Sequence, residues 1–584
     1  MVNYFNVHAP APEGIENKHA HIVGGGIAGL AAAVFLIDDA HMPAKNITIY
    51  ERRAVMGGAM DCFGDPKTGG YYSRGGRMLC RHMECLWYLA AKIPSIYTPG
   101  ITVLDETYRH NEELKINDTL RCIHKRGQLY PVPPSNEWMS PADSMKMLEL
   151  LLTPEDKLEG MTIGEWFTKD FTKSYFWQCW AYIFAFADYH SLVEAKRYLQ
   201  RFAHFTRGLP MAKGILNTKY NEYDSLVRPI QTHLLKQGVN IQLNSKVVDI
   251  VTEDKGKETV ATALVYVDDA GKQTTKALTR DDLVFFTNGS IPACSRQGGS
   301  NDVVSLNRDT KDRECFTVWE KMAARNPKKF GNPAVFISDI EKTKFYTYTA
   351  TITGDPLLHD ILAEKMKQDP RRNCLTTIVD APWVPTWFMY GKYFPNQPAD
   401  VHIFHGYTLF SHIPGSYVKK PASECTGHEI FTEILWQIGL TPEQINQVIS
   451  HSDCTVAAMP YATAQFLPRK LEDRPKIVPD GSVNLSFLGQ WVEHGLDCPD
   501  VVYTVESSVR SAMSAVYRLT KLEKPEIPMY WPLDSVRVLA DMVKTTTGAD
   551  KLSTALLDAV GGNADEHFKE VVDNALGELQ ECEP

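Results

Sequence analysis

The chain has 584 residues, of which 44% are hydrophobic and 23% are charged. This length and composition are typical of an ordinary globular protein with about two to four domains. The formal net charge of −10 argues against a general nucleic-acid binder. The 12 cysteines include no CxxC pair and no cysteine–histidine set at zinc-ligand spacing, so we expect a reduced cytoplasmic protein without a metal site.

The sequence carries no obvious targeting or membrane-spanning segment. The first 20 residues, MVNYFNVHAPAPEGIENKHA, lack the apolar stretch of a signal peptide. The longest apolar run, YFWQCWAYIFAFA at 175–187, is too short to cross a bilayer. It predicts a buried helix, which would either pack in a core or line a lipid-sized tunnel.

A dinucleotide-binding βαβ unit is predicted at residues 20–51. A short apolar strand at 20–23 runs into Gly24-x-Gly26-x-x-Gly29, and an alanine-rich helix follows to about residue 40. Gly24 permits a tight turn, Gly26 lets the backbone approach a pyrophosphate, and Gly29 allows close packing of the helix on the strand. Glycine spacing of this kind, between two predicted elements, indicates a bound dinucleotide.

The end of this unit favours FAD as the dinucleotide. The second strand, at 47–50, ends at Glu51, where a carboxylate can accept both ribose hydroxyls of adenosine and would repel the extra phosphate of NADP. A basic, glycine-bearing loop, Arg52-Arg53-x-x-x-Gly57-Gly58, then continues the strand, as in flavoproteins with an extended cofactor. The predicted FAD contacts are Gly24, Gly26, Ala28, Gly29, Glu51, Arg52, Gly58, Gly75, Gly76, Arg77, Val247, Asn288, Ser290, Gly489, Thr504 and Ser508.

Later segments return strands to this nucleotide domain. The runs at 239–250, 282–287 and 485–488 have strand patterns, and the last stops at Gly489. A helix is then predicted from about Asp500, with Asp500 as its N-cap and with Thr504 and Ser508 one turn apart on one face.

The predicted fold is α/β. It comprises a Rossmann-like, glutathione-reductase-like FAD-binding domain (1–110, 225–300 and 471–522), an inserted mixed α/β substrate region (111–224 and 301–470) and a C-terminal helical cap (523–584). Three amphipathic helices are predicted in the cap, at about 534–545, 550–560 and 565–580. Their polar faces suit solvent, and their apolar faces would also allow peripheral contact with a membrane surface.

Several long strings resemble the fatty acid (oleate) hydratase family, also called the myosin-cross-reactive antigens. The matching strings are Arg74-Gly-Gly-Arg77, His82-x-Glu84-Cys-Leu-Trp87, Thr218-Lys-Tyr220-Asn-x-Tyr223-x-Ser225-Leu226, Thr287-Asn-Gly-Ser290, Tyr417-Val-Lys-Lys-Pro421, Glu424-Cys-Thr-Gly427, Met459-Pro-Tyr461, Phe466-x-Pro468-Arg469, Gly489-Gln490 and Ser508-x-Arg510-Ser511. The resemblance implies FAD binding without net redox. It also implies addition of water to a cis double bond of an unsaturated free fatty acid, typically oleate to the 10-hydroxy acid, by a monomer or homodimer.

The resemblance assigns catalytic roles and exposes one departure. Tyr220 matches the family tyrosine that is thought to protonate the alkene. The glutamate that follows the Arg-Gly-Gly-Arg motif, and that polarises the attacking water, is Met78 here, and a thioether cannot act as a base. If residues 78–87 are helical, His82 lies one turn from Met78 and is the nearest replacement base. Backbone carbonyls and the flavin edge near Gly75 and Gly76 are the alternative water holders.

Further departures lie in the substrate region. His405-Gly-Tyr407 replaces a family Trp-Gly-Tyr, and Pro382 replaces an asparagine before the matched Trp383. These changes predict a reshaped tunnel. Thr463, in the Met-Pro-Tyr motif, is the candidate for holding the substrate carboxylate.

The residues leave other functions open. The FAD unit alone fits a redox flavoprotein of the amine-oxidase or desaturase type equally well. A fatty acid double-bond isomerase with reduced flavin is a further alternative. Met78 in place of glutamate would impair an isomerase less than a hydratase. A flavin- or lipid-binding protein without catalysis is the alternative outside enzymology.

Overall fold

The computed structural model describes residues 4–114, 121–130, 132–133, 137–211, 213–372, 375–494, 500–534, 538 and 542. The three helices predicted for the cap lie outside these residues, apart from Asp534, Val538 and Met542. Within the described ranges, no helix is long and apolar enough to cross a membrane.

A five-stranded parallel sheet forms the first half of the fold. Its strands, in spatial order, are Leu485–Leu488, Asp282–Thr287, His19–Val23, Ile47–Tyr50 and Asn240–Gln242. All four pairings are parallel, so the carboxyl ends of the strands meet at one edge. The predicted strands at 20–23, 47–50, 282–287 and 485–488 are confirmed, and the sheet has the Rossmann-like arrangement expected from the βαβ unit.

Helices and a small antiparallel sheet complete this half. Helix Ile27–Asp38, which is apolar almost all round, is buried between the parallel sheet and helix Val505–Thr520. The antiparallel strands are Lys246–Lys255, Glu258–Val267 and Gln273–Ala277. The run at 239–250 therefore splits into two strands, as predicted, although the second continues five residues further to Lys255.

An eight-stranded sheet forms the second half. Its strands, in spatial order, are Arg296–Gly298, Ser452–Met459, Phe345–Thr353, Val401–Thr408, Thr386–Tyr390, Thr376–Ile378, Arg121–His124 and Gln128–Tyr130. β-Branched and aromatic residues dominate the long central strand, FYTYTATIT, as suits a strand that is buried on both faces. The second sheet begins before residue 301, because Arg296–Gly298 pairs with Ser452–Met459. The domain boundaries themselves stay a prediction.

Helices cover the second sheet and enclose an aromatic cluster beside it. The remaining helices are Glu84–Lys92, Val103–Leu114, Pro141–Leu152, Ile163–Trp166, Tyr175–Phe184, Leu192–Arg201, Arg228–Gln237, Cys315–Arg325, Pro327–Phe330, Ala334–Ile337, Ile340–Thr343, Leu357–Met366, Gly427–Ile438 and Pro442–Ser450, with a π-helical turn at Tyr223–Val227. Ser174 and Ser191 cap the two helices at 175–184 and 192–201 by accepting backbone N–H bonds. The predicted buried helix at 175–187 therefore exists, and it ends at Phe184.

Two short pairs of antiparallel strands lie outside the larger sheets. Strand Cys62–Asp65 pairs with Gly70–Ser73, and Tyr71 of this hairpin donates its backbone N–H to Thr351 of the second sheet. Leu79–Cys80 pairs with Ile215–Leu216. The second pair fixes residues 75–78 between the two sheets.

Gly29 should tolerate no side chain. A Cβ there would lie 2.1 Å from the carbonyl oxygen of Gly24, in rigid backbone. We expect Gly29→Ala to destabilise the FAD-free protein by about 3 kcal/mol or more, through overpacking of the helix on the strand. The matched variant Gly391→Ala, where a Cβ would meet nothing within 4 Å, should change stability by less than about 0.5 kcal/mol. Equal thermal unfolding midpoints for both variants would contradict this packing account.

Candidate active site

A cleft of about 1130 Å³ opens at the carboxyl edge of the parallel sheet. The segments that leave four of its strands line the cleft, at 24–28, 51–53, 289–291 and 489–491. In open α/β sheets this edge is where ligands bind.

The glycine loop has the geometry of a phosphate cradle. Gly24 has φ +110°, a left-handed conformation that favours glycine. A Cβ on Gly26 would meet nothing within 4 Å, so this residue faces open space in the cleft at the N-terminus of helix Ile27–Asp38. The helix N-terminus and its free N–H groups favour an anion at this point.

Glu51 is held rigidly at the rim of the loop. Its carboxylate accepts the backbone N–H groups of Gly25 and Arg53, each at 2.8 Å. Burial raises the pKa of Glu51, although these two N–H groups oppose the shift. Each carboxylate oxygen keeps a further lone-pair site, so Glu51 can still accept ribose hydroxyls.

The structure places most predicted cofactor residues in this cleft. Those that line it are Gly24, Gly26, Ala28, Glu51, Arg52, Gly58, Arg77, Val247, Ser290, Gly489 and Ser508. Gly29 and Asn288 do not line it: Gly29 packs against Gly24, and Asn288 donates to the carbonyl of Trp491. Gly75, Gly76 and Thr504 line a neighbouring cavity instead.

The prediction that Asp500 caps the last helix is wrong. That helix begins at Val505, and the Thr504 hydroxyl caps it by accepting the N–H of Ser507 at 3.0 Å. Asp500 accepts from Arg201 instead. The chain turns at Tyr503, which has φ +71° and lines both the cleft and the neighbouring cavity.

Buried polar atoms in the cleft fit a polar cofactor. Thr287 Oγ1, Gln490 Oε1 and Trp491 Nε1 are buried, and none has a hydrogen-bond partner among the described residues. All three residues line the cleft. Burying polar groups without partners is costly, so these atoms suit a ligand that supplies donors and acceptors, as FAD does.

The neighbouring space is a largely apolar cavity of about 1410 Å³. Helix Tyr175–Phe184 contributes Phe176, Trp180, Ile183 and Phe184 to its wall, so the aromatic run lines a cavity as well as packing. The opposite wall is one face of the second sheet, with alternate residues of three neighbouring strands: Phe345, Thr347, Phe388, His405 and Tyr407. We call this space the apolar cavity.

Tyr220 lines a third space, of about 1030 Å³, with several cationic neighbours. Lys219, Arg371 and Lys392 share its lining, so we call it the basic cavity. The Tyr220 ring packs edge-on against Tyr97 at 5.0 Å between ring centroids, and Lys219 Nζ lies 5.5 Å from the ring.

The apolar and basic cavities meet at one segment. Gly76, Arg77, Met78 and Phe388 line both, and Arg77 also lines the nucleotide cleft. Gly76 is required here because a Cβ would lie 2.0 Å from the Tyr390 hydroxyl. The predicted catalytic residues Tyr220 and Met78 therefore both line the basic cavity.

The helical relationship predicted between Met78 and His82 is wrong. Residues 79–80 form a strand, and the helix begins only at Glu84. His82 lines none of these three cavities, and its ring stacks on Tyr530 at 3.7 Å between centroids. Its Nδ1 lies 3.4 Å from Glu84. The structure thus gives His82 no path to a water at Met78.

Two other predicted substrate residues are also placed elsewhere. Thr463 lines neither the apolar nor the basic cavity, and its hydroxyl lies 3.4 Å from the carbonyl oxygen of Lys342. Its assignment to the substrate carboxylate lacks geometric support. Trp383 is buried and donates its indole N–H to Ile413, so Pro382 and Trp383 do not shape the tunnel directly.

Glu222 is a candidate site residue that sequence reasoning missed. It lines the basic cavity, accepts the backbone N–H of Arg77 and receives the Tyr393 hydroxyl at 3.3 Å. Burial raises its pKa, and the charge of Arg77 opposes that shift. Its position two residues after Tyr220 was the available signal.

The family model for the MCRA family matches residues 17–517. The chain belongs to the MCRA family. It is 38% identical over 521 residues to an oleate hydratase of Streptococcus pyogenes serotype M49 (strain NZ131), covering 88% of this chain and 87% of the relative. It is 28% identical over 539 residues to a linoleate hydratase of Lactiplantibacillus plantarum, covering 85% and 93%.

A solved flavoenzyme structure shares the fold. A putrescine oxidase bound to putrescine aligns over 86% of this chain and 99% of its own, with a TM-score of 0.51 at 12% identity. This likeness confirms the flavoprotein-like α/β fold. Within the described ranges, no group of three or more His, Cys, Asp or Glu side chains is arranged to hold a metal ion.

Gly26 should separate cofactor binding from folding. Its φ of −75° suits any residue, and its Cβ would point into the cleft, so Gly26→Val should fold but block the pyrophosphate. We expect purified Gly26→Val to be colourless, with FAD affinity reduced by about 100-fold or more, equal to about 2.7 kcal/mol. Flavin absorbance and circular dichroism measure the two properties. Full FAD occupancy in the variant would refute the assignment of this cleft.

Proposed function

We propose that this protein is an FAD-dependent hydratase that adds water to a cis double bond of an unsaturated free fatty acid, converting oleate to 10-hydroxystearate without net redox. The observation that carries the proposal is the junction at residues 76–78, where an apolar cavity, a basic cavity with a tyrosine and a dinucleotide cleft meet. The relatives named oleate hydratase and linoleate hydratase support the reaction class.

The two cavities suit the two ends of a fatty acid. The apolar cavity, walled by Phe176, Trp180 and Phe202, would bury the hydrocarbon tail. The basic cavity, with Lys219 and Arg371, would hold the carboxylate. A double bond in the middle of the chain would then lie at the junction, beside Tyr220 and Met78.

Tyr220 would supply the proton to the alkene. A phenol is a weak acid for this task, so protonation and water attack must be nearly concerted. The apolar wall excludes competing solvent and strengthens the electrostatic interactions inside. Bound FAD would supply a flat polar surface to the site without net electron transfer. Its binding residues would be Glu51, the glycine loop and the N-terminus of helix Val505–Thr520.

Other expectations stay predictions. The monomeric or homodimeric state and peripheral contact with a membrane rest on the family resemblance and on residues beyond the described ranges. The cytoplasmic location rests on the sequence alone.

Tyr220→Phe tests the acid role, because it removes only the phenolic proton. We expect the purified holoenzyme to lose about 10² to 10⁴ in kcat for hydroxy acid formation. FAD content and oleate affinity should stay within about twofold of the wild type. Tyr130→Phe, on a half-exposed surface tyrosine, is the matched control and should retain full activity. A loss of less than about threefold at Tyr220 would make it a packing residue.

A further inference from the structure

His405 occupies the centre of the wall of the apolar cavity. It is paired in register with Thr349 on one neighbouring strand and with Phe388 on the other. The side chain is 0% exposed and lines the apolar cavity. A fully buried imidazole in an apolar wall requires a partner for each ring nitrogen.

The structure satisfies only one of its two ring nitrogens. Nδ1 lies 2.8 Å from the Thr349 hydroxyl, which in turn lies 3.5 Å from the carbonyl oxygen of Ser73. When the ring carries its proton on Nδ1, the imidazole donates to Thr349 and Thr349 donates to Ser73. Nε2 is then left with a free lone pair and no described partner.

The Nε2 atom lies beside Gly75, the residue that precedes the junction. A Cβ built on Gly75 would lie only 3.7 Å from His405 Nε2, so the ring edge meets the glycine segment that runs to Met78. Met78 lines the same cavity and offers only a weak thioether acceptor. Nε2 is thus an acceptor without a described partner, in the cavity that Met78 also lines.

A second buried polar atom lies close by. Thr347 lines the apolar cavity on the strand next to His405, diagonal to it in register, and its hydroxyl is also buried without a described partner. Diagonal neighbours on one face of a sheet lie about 7 to 8 Å apart at their Cα atoms. A buried water needs about two to four polar partners, and these two side chains can supply them.

We propose that His405, assisted by Thr347, holds the attacking water in the apolar cavity and that His405 Nε2 accepts its proton during hydration. This inference rests on the proposed hydratase function. As the Tyr220 O–H bond breaks and a C–H bond forms at one alkene carbon, the water oxygen forms the C–O bond at the other. The water O–H bond breaks toward Nε2, and the imidazolium later returns that proton to the Tyr220 phenolate through solvent. One water is added, and nothing is oxidised or reduced.

The electrostatic surroundings keep His405 neutral before reaction. Burial lowers its pKa to about 3, and the Arg77 charge adds to this shift. The other titratable or charged residues that line the cavity are Arg74, Cys80, Tyr198, Lys213, Tyr407 and Tyr503, and the Tyr390 ring lies 6.4 Å away between centroids. A depressed pKa means that the accepting, neutral form is present above about pH 4 and would be lost only as the pH falls through 3.

Three substitutions test the proposal in the FAD-loaded enzyme. His405→Phe keeps the ring shape but removes both nitrogens, and we expect kcat to fall by about 10² or more. His405→Gln keeps a polar group that can hold water but accepts a proton poorly. Its kcat should therefore lie between those of the wild type and His405→Phe. Thr347→Val should cost about tenfold through lost positioning. His402→Phe, three residues away on the opposite face of the same strand, is the matched control and should remain near wild type.

Measurements of FAD content and oleate affinity distinguish the possible causes of a loss of activity. Flavin absorbance and oleate affinity should be unchanged in His405→Phe if the residue acts on water. A loss that parallels FAD occupancy or oleate affinity would overturn the proposal, because His405 would then hold cofactor or substrate. Activity of His405→Phe within about threefold of the wild type would also overturn it.

The pH dependence of kcat distinguishes His405 from Glu222, the carboxylate of the basic cavity that is the alternative base. Neutral His405 predicts that kcat at saturating oleate shows no enzyme-derived acid limb from about pH 5 to about pH 8. Glu222 has a raised pKa, so a Glu222 base would give a limb that falls toward acid and disappears in Glu222→Gln. Such a limb would overturn the proposal. Absence of hydration in the wild type would instead refute the proposed function itself.

Discussion

The architecture depends on one constraint, the passage of residues 75–78 between two sheets and three cavities. The segment is fixed at its far end by the pairing of Leu79–Cys80 with Ile215–Leu216. Gly75 has φ +135°, and the Tyr390 hydroxyl occupies the space that a Gly76 Cβ would need. Arg77 closes the segment by donating to the carbonyl oxygens of Gly75 and Ala59, each at 3.0 Å. Cofactor, acid and substrate spaces can meet here only because the backbone itself forms the partition.

The walls around this partition are held by buried charge. Helix Leu192–Arg201, which carries Tyr198 and Leu199 of the apolar cavity, is tied to the segment at 469–474 through Glu194. Glu194 is 0% exposed, accepts from Arg469 at 3.0 Å and lies 3.1 Å from Arg474. Burial alone would raise the pKa of Glu194, but Arg474, Arg469 and Arg197 together lower it to about 2. Removing one partner would leave an uncompensated buried charge, so this network holds the cavity wall in one arrangement.

Local sequence patterns predicted the parallel sheet that carries the nucleotide cleft. The glycine spacing, the apolar runs and Glu51 report local backbone requirements, and the structure reproduces the strands at 47–50, 282–287 and 485–488. The predictions that were wrong concern residues whose structure depends on contacts with distant parts of the sequence. Residues 78–82 are not helical because Leu79–Cys80 pairs with a strand about 135 residues later, which no local pattern reveals. Thr504 rather than Asp500 caps the last helix, because Arg201 engages Asp500.

The candidate site was predictable only in part. Tyr220 and Met78 came from family strings, and in the structure both line the basic cavity. Two polar residues in the wall of the apolar cavity, Thr347 and His405, could not be predicted from local patterns. They lie about 60 residues apart in sequence and become neighbours only through the strand register of the second sheet.

The most direct measurement of the central claim is isotope incorporation. The FAD-loaded protein is incubated with oleate in H₂¹⁸O, without added reductant, and the product is analysed by mass spectrometry. We expect a hydroxy fatty acid that carries one ¹⁸O atom, because water supplies the new oxygen. A product that has lost two hydrogens, or an isomer of unchanged mass, would contradict it.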